Sequence, residues 1–148
     1  ALTLDLAKKG ATWAEVKQPF KRRAITAAVQ GGKVVVIGGL TPEAAAVPAV
    51  TLFDPAAGTW ADGPKLPGGE RVGFSPAAGT VNGRAVVATS DGSVYRLTED
   101  AAAWEKVGTA SKRMVARLVP LSADAAVLVG GAAHGGNPTA VEVVAEAK

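Results

Sequence analysis

Val34-Val35-Val36-Ile37-Gly38-Gly39 is a dense apolar run that ends in a pair of glycines. A run of this kind, without the alternation of a half-exposed strand, indicates a β-strand that is buried on both faces. Two further runs, Ala85-Val86-Val87-Ala88 and Ala126-Val127-Leu128-Val129, have the same character. The last one also ends in a glycine pair, Gly130-Gly131, whereas the middle run continues as Thr89-Ser90-Asp91-Gly92. The buried strand therefore recurs three times along the chain, and its middle copy is degenerate.

Each buried run occupies the same place in a longer repeat. An apolar stretch precedes it at residues 24–29, 72–78 and 115–120, and a tight turn joins the two. Gly or Asn in the first two turns supplies the positive φ of an antiparallel hairpin. A third apolar strand follows at residues 49–53, 93–97 and 141–144. Trp13, Trp60 and Trp104 mark a fourth strand and lie 47 and 44 residues apart, a spacing typical of propeller blades rather than of helical repeats of about 34 residues.

The repeat predicts an all-β chain of four-stranded antiparallel blades. We expect residues 1–22 to end a preceding blade, 23–70 and 71–112 to form blades, and 113–148 to form an incomplete blade. This gives about thirteen strands, fewer than the four to eight blades of four strands with which propellers close. Exposed strand edges and apolar blade faces favour pairing with another chain. We therefore expect a second protein chain to complete the ring, either a second copy that gives six blades or a different propeller fragment.

The segment from Arg23 to Arg71 resembles the kelch repeat. It has a buried run closed by Gly-Gly, an apolar strand ending at Asp54, then Gly58-Thr59-Trp60, and two prolines, Pro64 and Pro67. The resemblance extends over nearly the whole chain and implies a kelch-type β-propeller, present as an incomplete ring of about three blades. The glycine pairs permit close backbone approach, and large rings at equivalent positions most simply fill the packing between neighbouring blades.

Three arginines, Arg23, Arg71 and Arg113, precede the first strand of each blade. The longer connections emerge on this same face of the blades, so we expect a ligand to bind there. Kelch adaptor propellers hold acidic peptides with arginines at this point, and the resemblance is strongest at Arg71-Val72-Gly73. Pairing of the arginines with neighbouring backbone or with carboxylates such as Glu70 is the structural alternative. The candidate ligand-binding residues on this face are Arg23, Arg71, Asp91, Arg113, His134 and Asn137.

The residue inventory argues against most catalytic chemistry. The chain has no cysteine, one tyrosine and one histidine, so it cannot build the cysteine–tyrosine crosslink and histidine ligands of the copper-radical oxidases that share the kelch fold. His134 stands alone on a loop rich in Gly and Ala, so we expect no metal site and no cofactor. We expect a non-catalytic protein-binding or scaffold module. The alternatives are a fragment of a kelch-type enzyme acting on sugars, similar to those that interconvert sialic acid forms, or an architectural subunit of a larger assembly.

Charge and composition limit the remaining classes. The net charge is +3, and the basic residues concentrated in the first part of the chain come without an aromatic stacking platform, so we expect a solvated surface and no nucleic acid. No apolar run approaches the roughly 18 residues of a membrane span. The chain begins at Ala1 and its only methionine is Met114, which together with a high alanine content favours a processed bacterial protein, secreted or periplasmic.

Overall fold

A computed structural model describes residues 1–69 and 71–145, whereas Glu70 and residues 146–148 lie outside the described residues. The described residues contain no helix and form thirteen β-strands. In chain order these are β1 (Leu2–Thr3), β2 (Ala14–Glu15), β3 (Thr26–Gln30), β4 (Lys33–Ile37), β5 (Val50–Asp54), β6 (Thr59–Asp62), β7 (Ala77–Val81), β8 (Arg84–Ala88), β9 (Ser93–Leu97), β10 (Trp104–Thr109), β11 (Arg117–Pro120), β12 (Ala125–Val129) and β13 (Glu142–Ala145). The fold is all-β, as the repeat predicts.

The strands form four antiparallel sheets in which neighbours in the chain are neighbours in space. Sheet I contains β3 to β6, sheet II contains β7 to β10, sheet III contains β11 to β13, and β1 pairs with β2 in an N-terminal hairpin. The first strand of sheet I lies against the first strand of sheet II, which in turn lies against that of sheet III. Sheets placed side by side around their first strands form the blade arrangement of a propeller.

The first two strands of sheets I and II are joined by tight hairpins. Gln30 pairs with Lys33 across the first hairpin, and Val81 pairs with Arg84 across the second. Asn82 adopts a φ of 49° there, a left-handed conformation that asparagine tolerates better than most residues. These turns point to the face opposite the longer loops.

Two hydrophobic cores hold the sheets together. Between sheets I and II, the core contains Val35, Ile37, Val87 and Leu97, and a second core fills the space between sheets II and III. The strands β4 and β8 have buried side chains on both faces, as predicted, whereas Val127 and Val129 of β12 are only half-buried. The reason is that no other sheet among the described residues covers the outer face of sheet III.

The first strand of sheet II begins later than the sequence predicts. The apolar stretch 72–78 was expected to form it, but β7 begins at Ala77. Residues 71–73 instead form a turn. The backbone N–H of Val72 donates to the carbonyl oxygen of Gly69 at 3.1 Å, and that of Phe74 donates to the carbonyl oxygen of Arg71 at 3.0 Å. A Cβ atom on Gly73 would overlap the carbonyl oxygen of Val47. This close approach to the loop of sheet I holds the segment out of the strand.

Candidate ligand-binding face

One residue with positive φ precedes the first strand of each sheet and fixes how the sheets superimpose. Ala24, Ser75 and Val115 have φ of 52°, 41° and 60°, and each lies two residues before its strand. Counting back two positions from them gives Arg22, Gly73 and Arg113, and counting back one gives Arg23, Phe74 and Met114. Contrary to the sequence-based expectation, Arg23, Arg71 and Arg113 therefore do not occupy equivalent positions.

Arg22 is part of the internal structure of sheet I. Its Nη1 donates to the carbonyl oxygens of Gly38 and Ala49, both at 2.7 Å, and its Nη2 donates to Oγ1 of Thr51 at 2.7 Å. The guanidinium also lies 4.0 Å from the centre of the Phe20 ring, a favourable cation–π distance. Burial lowers the pKa of Arg22 from its ordinary value. These contacts tie the approach segment to the buried strand and to the strand that follows it.

Arg113 plays the same part in sheet III and is only 5% exposed. Its Nη1 donates to Ala140 at 3.0 Å and to Gly130 at 3.3 Å, and its Nη2 forms an ion pair with Oε1 of Glu142. The pKa of Glu142 is lowered, chiefly because its carboxylate accepts the backbone N–H of Ser111 at 2.9 Å, and further by the charge of Arg113. Both terminal nitrogens of Arg113 are thus engaged within the chain, whereas its buried Nε has no hydrogen-bond partner among the described residues.

The sequence contains a signal for the correct register that the arginine pattern hides. Lys21-Arg22 and Lys112-Arg113 are the same dipeptide, and both arginines reach residues 27 and 29 positions later in the chain. Arg23 follows Arg22 directly, so the sequence alone also allows Arg23 to be aligned with Arg113. It is exposed, and its Nη1 donates to the carbonyl oxygen of Thr41 at 3.0 Å.

Arg71 differs from every other arginine of the chain. Its side chain is exposed, and among the described residues its guanidinium has no hydrogen-bond or ion-pair partner. Its backbone is nevertheless fixed, because its carbonyl oxygen accepts from the N–H of Phe74 at 3.0 Å and from Oγ of Ser90 at 3.3 Å. The neighbouring Val72 is buried in the core between sheets I and II. A segment held by backbone hydrogen bonds thus presents a cation with five unused donors.

Three adjoining clefts share Arg71 on the face with the longer loops. The first, of about 370 Å³, brings Arg71 together with Asp91, Lys112 and His134, and the buried Arg113 forms part of its wall. A second, of about 510 Å³, is largely apolar and is lined by Leu40, Ala44, Ala45, Ala46, Phe74 and Met114 beside Arg71. A small third cleft of about 190 Å³ continues past Gly69. Four of the six predicted candidate residues therefore meet in the first cleft.

Asp91 is held as an anion at the wall of the first cleft. Its Oδ1 accepts from the hydroxyl of Thr89 at 2.6 Å and from the backbone N–H of Ser93 at 3.0 Å. The pKa of Asp91 is lowered, first by the hydrogen bond from Thr89 and then by that from Ser93. Two exposed cations, Arg71 and Lys112, thus face one carboxylate, which leaves the cleft with an excess of positive charge.

The structure separates the other candidate residues. His134 is exposed and lines the first cleft, whereas Arg23 lines a different cleft with Arg22 and Phe20. Asn137 is exposed and lines none of these clefts. No group of three or more His, Cys, Asp or Glu side chains that could hold a metal ion occurs in residues 1–69 and 71–145.

The three tryptophans have different surroundings. Trp104 lies against the core between sheets I and II, and its Nε1–H donates to the carbonyl oxygen of Pro64 at 2.8 Å. Trp60 packs on Phe53 and Phe20, with ring centres 4.5 and 5.5 Å away, but its buried Nε1 has no hydrogen-bond partner among the described residues. Trp13 is 65% exposed.

The described part of the chain includes no helix that is long and apolar enough to cross a membrane.

The comparisons with known proteins identify the fold. No protein-family model matches the chain, and no curated protein matches it in sequence. Among solved structures, that of YjhT is similar, with a TM-score of 0.79 and 16% sequence identity over 97% of this chain. The match covers 56% of the YjhT chain, so this chain spans little more than half the length of that neighbour. The antiparallel four-stranded sheets and this similarity together identify an incomplete kelch-like arrangement of propeller blades.

Proposed function

We propose that the chain is a non-catalytic binding module of propeller type that holds an acidic peptide by its carboxylates in the clefts around Arg71. One observation carries this proposal. Arg71 is exposed and has no partner for its guanidinium among the described residues, whereas its backbone is held by hydrogen bonds and by the buried Val72. A preorganised guanidinium suits bidentate binding of a carboxylate.

The charge around Arg71 supports an anionic ligand. Lys112 lines the same cleft and adds a second exposed cation, and Asp91 is the acidic side chain on that wall. A carboxylate of the ligand would pair with Arg71 and Lys112, while Asp91 would accept from a donor such as a peptide N–H. Arg113 and Arg22 do not compete for this role, because their terminal nitrogens bind backbone carbonyls and side chains of their own sheets.

The shape of the face supports an extended ligand with an apolar group beside the acid. Arg71 stands between the charged cleft and the apolar cleft that is lined by Leu40, Phe74 and Met114. A peptide crossing Arg71 would place an acidic side chain in one cleft and an apolar side chain in the other. Such a ligand buries more surface than a single carboxylate could.

Titration of the full chain with a short polyglutamate peptide tests the proposal. Arg71→Ala should weaken binding by about 10- to 100-fold, because a charge-assisted hydrogen bond contributes about 1.5 to 3 kcal/mol. Arg71→Lys should recover part of the loss, since it restores the charge but not the fork of donors. Arg117→Ala is the matched control, because this exposed arginine lies on β11 outside the clefts. Unchanged affinity in a folded Arg71→Ala variant would refute the proposal.

An enzymatic role on a sugar acid is the second candidate, and the position of His134 favours it. His134 and Asp91 line the same cleft as Arg71, so groups able to exchange protons stand beside one able to bind a carboxylate. N-acetylneuraminate is the probe, with its binding and the interconversion of its anomers followed by NMR. Catalysed interconversion that His134→Ala abolishes would favour this candidate over the binding module.

A further inference from the structure

A cavity of about 390 Å³ lies between the outer parts of sheets II and III. Its walls combine valine side chains, among them Val81, Val94 and Val144, with polar surface that includes Arg96 and Thr109. None of these residues lines the clefts around Arg71. The cavity is therefore a separate feature of the fold, which we name the outer slot.

The corresponding place between sheets I and II is filled by a tryptophan. Trp104 belongs to the fourth strand of sheet II and pairs with Leu97 on the third strand. Its ring reaches back across the gap to the core that includes Leu52 of sheet I, and its Nε1–H bonds to Pro64 at 2.8 Å. A fourth strand with a tryptophan thus closes one junction between sheets.

The buried arginines show which residue of sheet III would face such a tryptophan. Thr51 and Glu142 are equivalent, because the side chain of each accepts a hydrogen bond from the arginine 29 residues before it. Phe53 and Val144 lie two residues further on and are therefore equivalent as well. Phe53 pairs with Trp60, so a strand added beside β13 would place a tryptophan opposite Val144, at the wall of the outer slot.

The edge of β13 is suited to receive such a strand. Within the described residues β13 pairs with β12 alone, and Val143 is 63% exposed. An edge strand rich in valine beside a cavity partly lined by valines is a site for the addition of a strand from another chain.

The N-terminal hairpin carries a segment with the sequence of a fourth strand. Thr12-Trp13-Ala14-Glu15 repeats the pattern Thr59-Trp60-Ala61-Asp62 of the fourth strand in sheet I. Trp13 is 65% exposed, and neither strand of the hairpin packs extensively against another sheet of its own copy. We propose that the Trp13 segment of a second copy of this chain adds antiparallel to β13 and places Trp13 in the outer slot.

Two variants separate the donor of this contact from its acceptor. Trp13→Ala removes the inserted ring. Gly108→Leu fills the slot, because Gly108 lies opposite Val94 on the slot side of β10, its φ is ordinary, and a Cβ there meets no atom within 4 Å. The matched controls are Leu6→Ala, which removes another exposed apolar side chain, and Lys106→Leu, which adds leucine on the same strand opposite Tyr95 and away from the slot.

Light scattering of the full chain over a range of concentrations gives the readout. The parent chain and both controls should reach about twice the mass of 14.8 kDa. Each slot variant should raise the dimer dissociation constant by at least about tenfold, which corresponds to about 1.4 kcal/mol. Mixing the Trp13→Ala chain with the Gly108→Leu chain should restore part of the dimer, since the mixture retains one intact ring and one open slot.

Three results would overturn the proposal: a parent chain that stays monomeric at every concentration, dimers that survive both variants, or a mixture that associates no better than either variant alone. A far-ultraviolet circular dichroism spectrum like that of the parent and a cooperative urea transition would show that both variants are folded. Neither readout uses the peptide, so this proposal and that of the Arg71 clefts can each fail without the other.

Discussion

Trp60 and Trp104 occupy fourth strands of neighbouring sheets, but only one of them has a partner for its indole N–H. Trp104 donates to Pro64 at 2.8 Å, whereas the buried Nε1 of Trp60 has no partner among the described residues. Replacing each by phenylalanine removes the larger ring in both cases. Trp104→Phe also loses a hydrogen bond that contributes about 1 kcal/mol, while Trp60→Phe removes an unsatisfied donor that costs about 1 to 3 kcal/mol.

The free energy of unfolding should therefore fall further in Trp104→Phe than in Trp60→Phe, by about 2 kcal/mol. With a urea dependence of about 1 to 3 kcal/mol per molar, this corresponds to a difference of about 1 M between the unfolding midpoints. Far-ultraviolet circular dichroism is the appropriate signal, because both substitutions change tryptophan fluorescence directly. Both variants are compared at the same protein concentration. Equal midpoints, or a less stable Trp60→Phe, would refute the assignment of these two environments.

Two further predictions concern the approach segments. Gly73→Ala should lower the free energy of unfolding by about 3 kcal/mol or more, because the added Cβ overlaps the carbonyl oxygen of Val47. The control is Gly69→Ala, because a Cβ on Gly69 meets no atom within 4 Å and its φ is ordinary. Equal urea midpoints for the two variants would contradict this packing. The interactions that lower the pKa of Glu142 stabilise the folded chain at pH values above 4.5, the ordinary pKa of glutamate. This stabilisation is lost as the pH falls through the lower pKa of the folded state. Glu142→Gln should therefore have a lower urea midpoint than the parent at neutral pH, and its midpoint should fall less as the pH is lowered. A midpoint that falls with pH as steeply as that of the parent would contradict the role of this carboxylate.

The elements that could be predicted from the sequence are those with local causes. The run from Val34 to Ile37 is apolar at every position, and Gly31-Gly32 supplies positive φ of 56° and 74° beside it. Both the buried strand and its hairpin follow from these few residues. The same reasoning succeeds for β8 because Asn82-Gly83 provides the equivalent turn.

The elements that could not be predicted depend on contacts between sheets. Nothing in the residues around Gly73 shows that the carbonyl of Val47 will occupy the space of its side chain, so the start of β7 was placed too early. The adjacent Arg22 and Arg23 offer two registers, and the choice between them rests on bonds to Gly38 and Ala49. These residues lie 16 and 27 positions further along the chain, beyond the reach of a local pattern.

Only part of the candidate site could be predicted from the sequence. Arg71, Asp91 and His134 were identified because they lie on loops of one face, and the clefts bring them together. Lys112 was not among the candidates, although it follows β10 on this face and lines the same cleft. Its only signal in the sequence is the Lys-Arg dipeptide, which marks the buried arginine rather than the exposed lysine.

The most direct test of the Arg71 clefts is an NMR titration of the isotopically labelled chain with the polyglutamate peptide, followed through the backbone amides. Binding of the peptide in the clefts should produce saturable shifts at the residues that line them, Gly69, Ser90, Lys112 and His134. The hairpin turns at Gly31-Gly32 and Asn82-Gly83, on the opposite face, should remain unchanged. Shifts confined to those turns, or no saturable shift at any peptide concentration, would show that the peptide does not bind in the Arg71 clefts.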